Sequence, residues 1–97
     1  MKVAFIGGGV MAEAIISSAI TKLVLKPSEI TVSDPLEIRR SHLLKKYSIS
    51  ADSENYKAIQ NSQLIILAMK PQDLVTVAES IKDYIENDQI VLSIAAG

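Results

Sequence analysis

The chain has 97 residues, 48% of them hydrophobic and 22% charged, with one histidine and no cysteine. That is enough for one compact domain with one core, and it excludes a disulfide framework, a thiolate nucleophile, cysteine-ligated zinc and a multi-histidine metal site. Ten basic against eleven acidic residues leave a net charge of −1, which gives no general attraction to nucleic acid or to an anionic membrane.

The first element is a strand, Val3–Ile6, entered so directly from Met1-Lys2 that no room remains for a signal peptide; a soluble, cytoplasmic domain is expected. Ala12, Ile15, Ile16, Ala19, Ile20 and Leu23 then recur at spacings of three and four. They form the apolar face of a helix whose other side carries Glu13, Ser17, Thr21 and Lys22. Pro27-Ser28 breaks the chain, residues 29–33 read as a second strand, and Leu36, Leu43, Leu44 and Tyr47 mark a second helix. Residues 49–51 suit a short third strand, and Asp52 or Ser53 can cap a brief helix through Ile59 that stops near Asn61. Residues 64–68 are apolar throughout, as in a strand buried on both faces. The same run, extended to Met69, is the longest in the chain and far short of a membrane span. Leu74, Ala78, Ile81 and Ile85 trace a further helix, and residues 90–94 a last strand.

Strands and helices thus alternate through short connections, with no repeat or linker. This requires a parallel sheet covered by helices on both faces through right-handed crossovers. The strand order 3-2-1-4-5 is expected, because the switch between strands one and four then falls beside a run of glycines. The expected architecture is α/β: a Rossmann-like, doubly wound, five-stranded parallel sheet forming one domain over residues 1–97.

Gly7-Gly8-Gly9-Val10-Met11-Ala12 fits G-x-G-x-x-A where the first strand meets the first helix. Gly7 permits the tight turn, Gly9 keeps side-chain atoms away from a pyrophosphate, and Ala12 lets the helix lie close on the sheet. The helix start offers unpaired N–H groups and a positive dipole end to phosphates. A structural turn would need none of this context, so dinucleotide binding is the preferred reading. A Walker-type loop is excluded, since no Gly-Lys-Ser/Thr follows.

Asp34 stands 22 residues after Ala12, where such folds place an acid that reads the adenosine ribose of NAD. Yet Asp34-Pro35-Leu36-Glu37 also reads as an N-cap, a proline at the first helical position and a capping-box glutamate. A capping Asp34 would leave Ser33, a helix start and Arg39 or Arg40 around a space suited to the 2′-phosphate of NADP. Both arginines also suit a solvated helix face, and the two readings of Asp34 stay open.

At the far side of the switch, Lys70 emerges at the carboxyl edge of the sheet and is a candidate ligand contact. Pro71 is explained by the first turn of the next helix. Ser93-Ile94-Ala95-Ala96-Gly97 ends the neighbouring strand in small residues that let a flat ring approach the backbone. Asn55 can reach the adenosine end or simply start its helix, and His42 is expected in solvent.

Together these residues resemble the N-terminal domain of the pyrroline-5-carboxylate reductase family. The stretches that carry the resemblance are residues 5–15 around the glycine loop, Val32-Ser33-Asp34-Pro35, Leu67-Ala68-Met69-Lys70-Pro71-Gln72 and Ser93-Ile94-Ala95-Ala96-Gly97. The resemblance implies NADP as cofactor, with NAD as the alternative, and hydride transfer to a cyclic imine that gives L-proline. By it, Gly7, Gly8, Gly9, Val10, Met11 and Ala12, with Ser33, Asp34 and Asn55 nearby, would hold the phosphate and adenosine parts. Ala68, Met69, Lys70 and Pro71, with Ala95 and Ala96, would lie nearer the nicotinamide. No catalytic residue and no metal ligand is expected in this part. The chain departs from the family at Val10, where asparagine is common, and so lacks one side-chain hydrogen bond from the loop. Family members continue into a helical domain that supplies the substrate pocket and the homo-oligomer contacts, so the 97 residues are expected to be a truncated, nearly inactive cofactor domain. The competing readings are a nucleotide-sensing regulatory module, which needs no Lys70-Pro71, a related dehydrogenase of the 3-hydroxyacid group, and an S-adenosylmethionine-dependent methyltransferase.

Overall fold

The computed structural model describes residues 1–94. Strands β1 (Val3–Ile6), β2 (Ile30–Ser33), β3 (Ser50–Asp52), β4 (Leu64–Leu67) and β5 (Ile90–Ser93) form one parallel sheet in the order β3-β2-β1-β4-β5. Helices α1 (Val10–Thr21), α2 (Glu37–Tyr47), α3 (Asn55–Ala58) and α4 (Leu74–Ile81) connect them. The expected Rossmann-like α/β topology and strand order are therefore present. Among the described residues no helix is long and apolar enough to cross a membrane.

The two cores follow from the strand pleat. Val3 and Phe5 of β1 point to one face, against Ala12 and Ile16 of α1 and Leu43 of α2. Ala4 and Ile6 point to the other, against Ala58, Ile59 and Ile81. All of these are 2% exposed or less. Each large side chain so buried stabilises the fold by about 1.5–3 kcal/mol, and burial on both faces is why the central strands read as unbroken apolar runs. Ile6 pairs with Ser33 on one side and Leu67 on the other, so the chain leaves all three strands at one level. That shared level positions the site.

The boundaries differ where non-local contacts or turns intervene. Residue 29 is not strand: Pro27–Glu29 is a 3₁₀ turn, and the Glu29 carboxylate accepts the Lys26 N–H at 2.8 Å and an N-terminal ammonium hydrogen at 2.6 Å. The third strand lies one residue later than expected. Helix α1 ends at Thr21, and Leu23, assigned by periodicity to the apolar face, is 90% exposed with φ +59°, in the left-handed position beyond the helix end. On α2 only Leu43 of the expected leucines is buried; Leu36 and Leu44 are more than half exposed. Helix α3 has neither expected cap: its N-cap is Glu54, whose N–H donates to Asp52 Oδ1 at 2.8 Å in a turn before the helix. Helix α4 ends at Ile81, and a 3₁₀ turn, Lys82–Tyr84, separates it from Ile85. Strand β5 pairs with β4 alone, and its Ile90, Val91 and Leu92 are 67%, 40% and 49% exposed.

Candidate dinucleotide site

The glycine loop leaves β1 at the sheet's carboxyl edge. Gly7 has φ +100°, donates its N–H to the Ser33 carbonyl at 2.8 Å, and a Cβ there would meet the Ala68 carbonyl oxygen at 2.9 Å. Only glycine takes that turn without strain. Gly8 is the residue the G-x-G-x-x-A pattern leaves unspecified, yet it is the most closely packed: a Cβ would meet Leu43 Cδ1 at 2.8 Å. Gly9 is the opposite case, with nothing within 4 Å of a Cβ.

Gly9 is also the N-cap of α1, and no side chain caps it. The first intrahelical bond runs from the Glu13 N–H to the Gly9 carbonyl at 2.9 Å, so the amides of Val10, Met11 and Ala12 have no helical acceptor. Ala12 is fully buried against the sheet, which is why the helix start can sit so close to the loop.

Asp34 does not cap α2, and its carboxylate is committed to the main chain. It is 9% exposed; Oδ2 accepts the Gly8 N–H at 2.8 Å and Oδ1 accepts the Leu36 N–H at 2.9 Å. The second bond is an Asx turn. Helix α2 begins after it, with Leu36 as N-cap and no side-chain cap, so the capping box with Pro35 and Glu37 does not form. The carboxylate instead braces the loop from beneath. Arg40 Nη1 donates to the Asp34 carbonyl at 2.7 Å, and Arg39 Nε donates to the Gly8 carbonyl at 2.7 Å. Neither arginine is a free solvated charge.

The Ser33 hydroxyl, fully buried, donates to Asn55 Oδ1 at 2.7 Å, so these two predicted residues do meet. They line a cavity of about 350 Å³ together with Gly7, Pro35 and Met69. Gly9, Val10, Met11, Ala68, Lys70 and Met69 again line a second cavity of about 250 Å³. Gly7 thus faces one cavity and Gly9 the other, with Met69 shared. Pro71 opens a 3₁₀ turn, Pro71–Asp73, rather than the helix itself. Ala95 and Ala96 lie outside the described residues.

A compact diphosphate fits this geometry: an open flank at Gly9, uncapped amides, and room on both sides for the halves of a dinucleotide. The family described as NADP oxidoreductase, coenzyme F420-dependent, matches residues 2–97.

The chain belongs to that family.

Within the NADP oxidoreductase family its sequence is similar to a pyrroline-5-carboxylate reductase of Synechocystis sp., 39% identical over 97 residues, which is all of this chain and 36% of that protein. Its fold is similar to a pyrroline-5-carboxylate reductase of Coxiella burnetii, with TM-score 0.93 and 29% identity, covering 99% of this chain and 36% of that one. A Plasmodium falciparum pyrroline carboxylate reductase with NADP bound shares the fold at TM-score 0.81 and 22% identity, covering 98% of this chain and 33% of that one. The matched part is the N-terminal NAD(P)-binding domain of such reductases, and the chain spans about a third of the length of the curated relatives it matches.

Two features of this NADP oxidoreductase domain are not evident from its sequence. Asp73, Thr76 and Val77, at the start of α4, line the larger cavity; the signal was their place just after the carboxyl end of β4, where ligands lie in such folds. Glu13, assigned by periodicity to the solvent face, is only 17% exposed. Its carboxylate accepts from Arg39 Nη2 at 2.9 Å and from the Tyr47 hydroxyl at 2.8 Å, with His42 Nε2 at 3.0 Å and Lys46 Nζ at 3.5 Å. Bonds from His42, Tyr47 and Arg39 hold its carboxyl at about 2, below the ordinary 4.5, against the opposing effect of desolvation. His42 keeps 41% of its side chain in solvent, as expected, but is not without a partner.

Proposed function

We propose that the chain binds NADP(H) across the glycine loop and is the cofactor domain of a cytoplasmic oxidoreductase that reduces pyrroline-5-carboxylate to L-proline. The observation that carries this reading is the start of α1: Gly9 offers open space beside uncapped amides, while the loop behind it is held by Asp34 and Arg39. The diphosphate lies on the Gly9, Val10 and Met11 backbone. The adenosine half takes the cavity lined by Ser33 and Asn55, next to Asp34, and the nicotinamide half takes that lined by Ala68, Met69 and Lys70, with Pro71 following in the chain and Ala95 and Ala96 assigned by resemblance.

NADP is favoured over NAD because the Asp34 carboxylate is turned inward and both its oxygens accept main-chain N–H groups. The Arg40 guanidinium beside the Asp34 carbonyl supplies positive charge where a 2′-phosphate would lie. When bound, the cofactor supplies the hydride from nicotinamide C4; the chain's part is to fix the ring at the sheet edge with one face open. The substrate pocket and the homo-oligomer contacts are assigned to the further length found in the relatives.

Calorimetric titration with NADPH and NADH side by side tests the reading. NADPH binds more tightly; NADH binding tenfold tighter, about 1.4 kcal/mol, would reverse the cofactor assignment. The 97-residue chain turns over pyrroline-5-carboxylate negligibly, and a rate near 1 s⁻¹, about that of an ordinary enzyme, would contradict its role as a cofactor domain. Lys70→Ala weakens NADP(H) binding, whereas an unaltered affinity would favour a nucleotide-sensing module.

A further inference from the structure

We infer that Arg39, held by Glu13, is a positioning residue for the glycine loop: it fixes the Gly8 carbonyl and thereby aims the next amide at the diphosphate, and it does not read the 2′-phosphate. The inference rests on the dinucleotide reading above. Arg39 Nε donates to the Gly8 carbonyl at 2.7 Å, and Nη2 of the same guanidinium donates to Glu13 Oε1 at 2.9 Å. One rigid fork from α2 therefore spans the loop and the first turn of α1.

The consequence follows from peptide geometry. The Gly8 carbonyl and the Gly9 N–H belong to one planar trans unit and point in opposite directions. Drawing the carbonyl toward α2 turns the Gly9 N–H away from α2. The Gly8 N–H is fixed separately on Asp34 Oδ2 at 2.8 Å, so the middle glycine is gripped at both polar atoms by side chains from two elements. Without Arg39 the carbonyl loses its partner and the unit can rotate.

Glu13 supports the fork in two ways. Its other contacts, to Tyr47, His42 and Lys46, leave the carboxylate little freedom to release Arg39. Its negative charge sits in the first turn of α1, close to where an anion would bind, and Arg39 and Lys46 offset that charge. With Nε and Nη2 both committed and the side chain 26% exposed, Arg39 is held against the loop and not extended toward a ribose.

The test uses Arg39→Gln, Arg39→Lys and Glu13→Gln in the 97-residue chain, each first shown to be folded by its urea unfolding curve. NADPH and NADH affinities are measured together, with amide hydrogen exchange of the free protein. All three variants weaken both dinucleotides by the same factor, roughly five- to tenfold, so their ratio is unchanged, and the Gly8 amide, bonded to Asp34 in the unaltered chain, exchanges faster. Arg39→Lys keeps the charge but lacks the fork. Full affinity in that variant would overturn the inference, as would a loss confined to NADPH, which would make Arg39 a phosphate ligand. Unchanged binding and exchange in all three would overturn it too. If the unaltered chain binds neither dinucleotide, the dinucleotide reading falls and the diphosphate role with it, while the exchange data still decide whether Arg39 orders Gly8.

Discussion

Gly8 donates its N–H to Asp34 Oδ2 at 2.8 Å, a buried bond between residues 26 apart in the chain. It turns the acid at the end of β2 into a brace for the loop. Asp34→Asn can present one oxygen but must face the other N–H with its own amide hydrogens. It should destabilise the fold by about 1–3 kcal/mol in urea unfolding and weaken both dinucleotides alike. A changed NADPH-to-NADH ratio at unchanged stability would return Asp34 to a ribose-reading role.

Gly7 and Gly9 should separate folding from binding. Gly7→Ala places a Cβ 2.9 Å from the Ala68 carbonyl at φ +100°, and should lower the unfolding midpoint sharply. Gly9→Ala meets nothing within 4 Å and adopts φ −79° without strain, so stability is kept while dinucleotide affinity falls. Equal losses of stability in the two variants would mean that Gly9 is a turn residue only.

The Glu13 cluster gives a defined acid response. The carboxyl is held at about 2 against an ordinary 4.5. A carboxylate depressed in the folded state contributes stability that is complete above the unfolded value and is lost as pH falls through the folded one. Thermal midpoints of the unaltered chain should therefore fall between pH 4.5 and about 2, and Glu13→Gln should flatten that part of the curve. Parallel curves for the two proteins would show that the cluster adds nothing to stability.

Core position decides the cost of shortening an aliphatic side chain. Ile65 is fully buried, and Ile65→Ala should cost about 2–5 kcal/mol. Leu92, equally apolar, is 49% exposed on β5, and Leu92→Ala should cost well under half as much by the same denaturation measurement.

Much of the fold was legible. Runs such as residues 64–68 are apolar on consecutive positions, as a strand covered on both faces requires. The glycine spacing located the loop and assigned Gly7 and Ala12 correctly. What failed is instructive. Hydrophobic periodicity assigned Glu13 to solvent because it weighs polarity, and polarity cannot reveal four partners on α2 lying 26 to 34 residues away. Leu23 fitted the helical pattern too, yet the helix stops before it and its side chain is exposed. Pro35 and Glu37 beside Asp34 spell a helix cap that does not form, and no local feature points to its bond with Gly8.

From residue order alone came the alternation of strand and helix and the place of the glycine turn. These depend on periods of two and 3.6 and on backbone freedom at single positions, which are properties of near neighbours. Which polar side chain grips which backbone atom was decided only when β1, β2 and α2 came together. A hydrogen bond at 2.8 Å depends on the meeting of distant segments, and the folded chain alone brings Gly8, Asp34 and Arg39 within that reach.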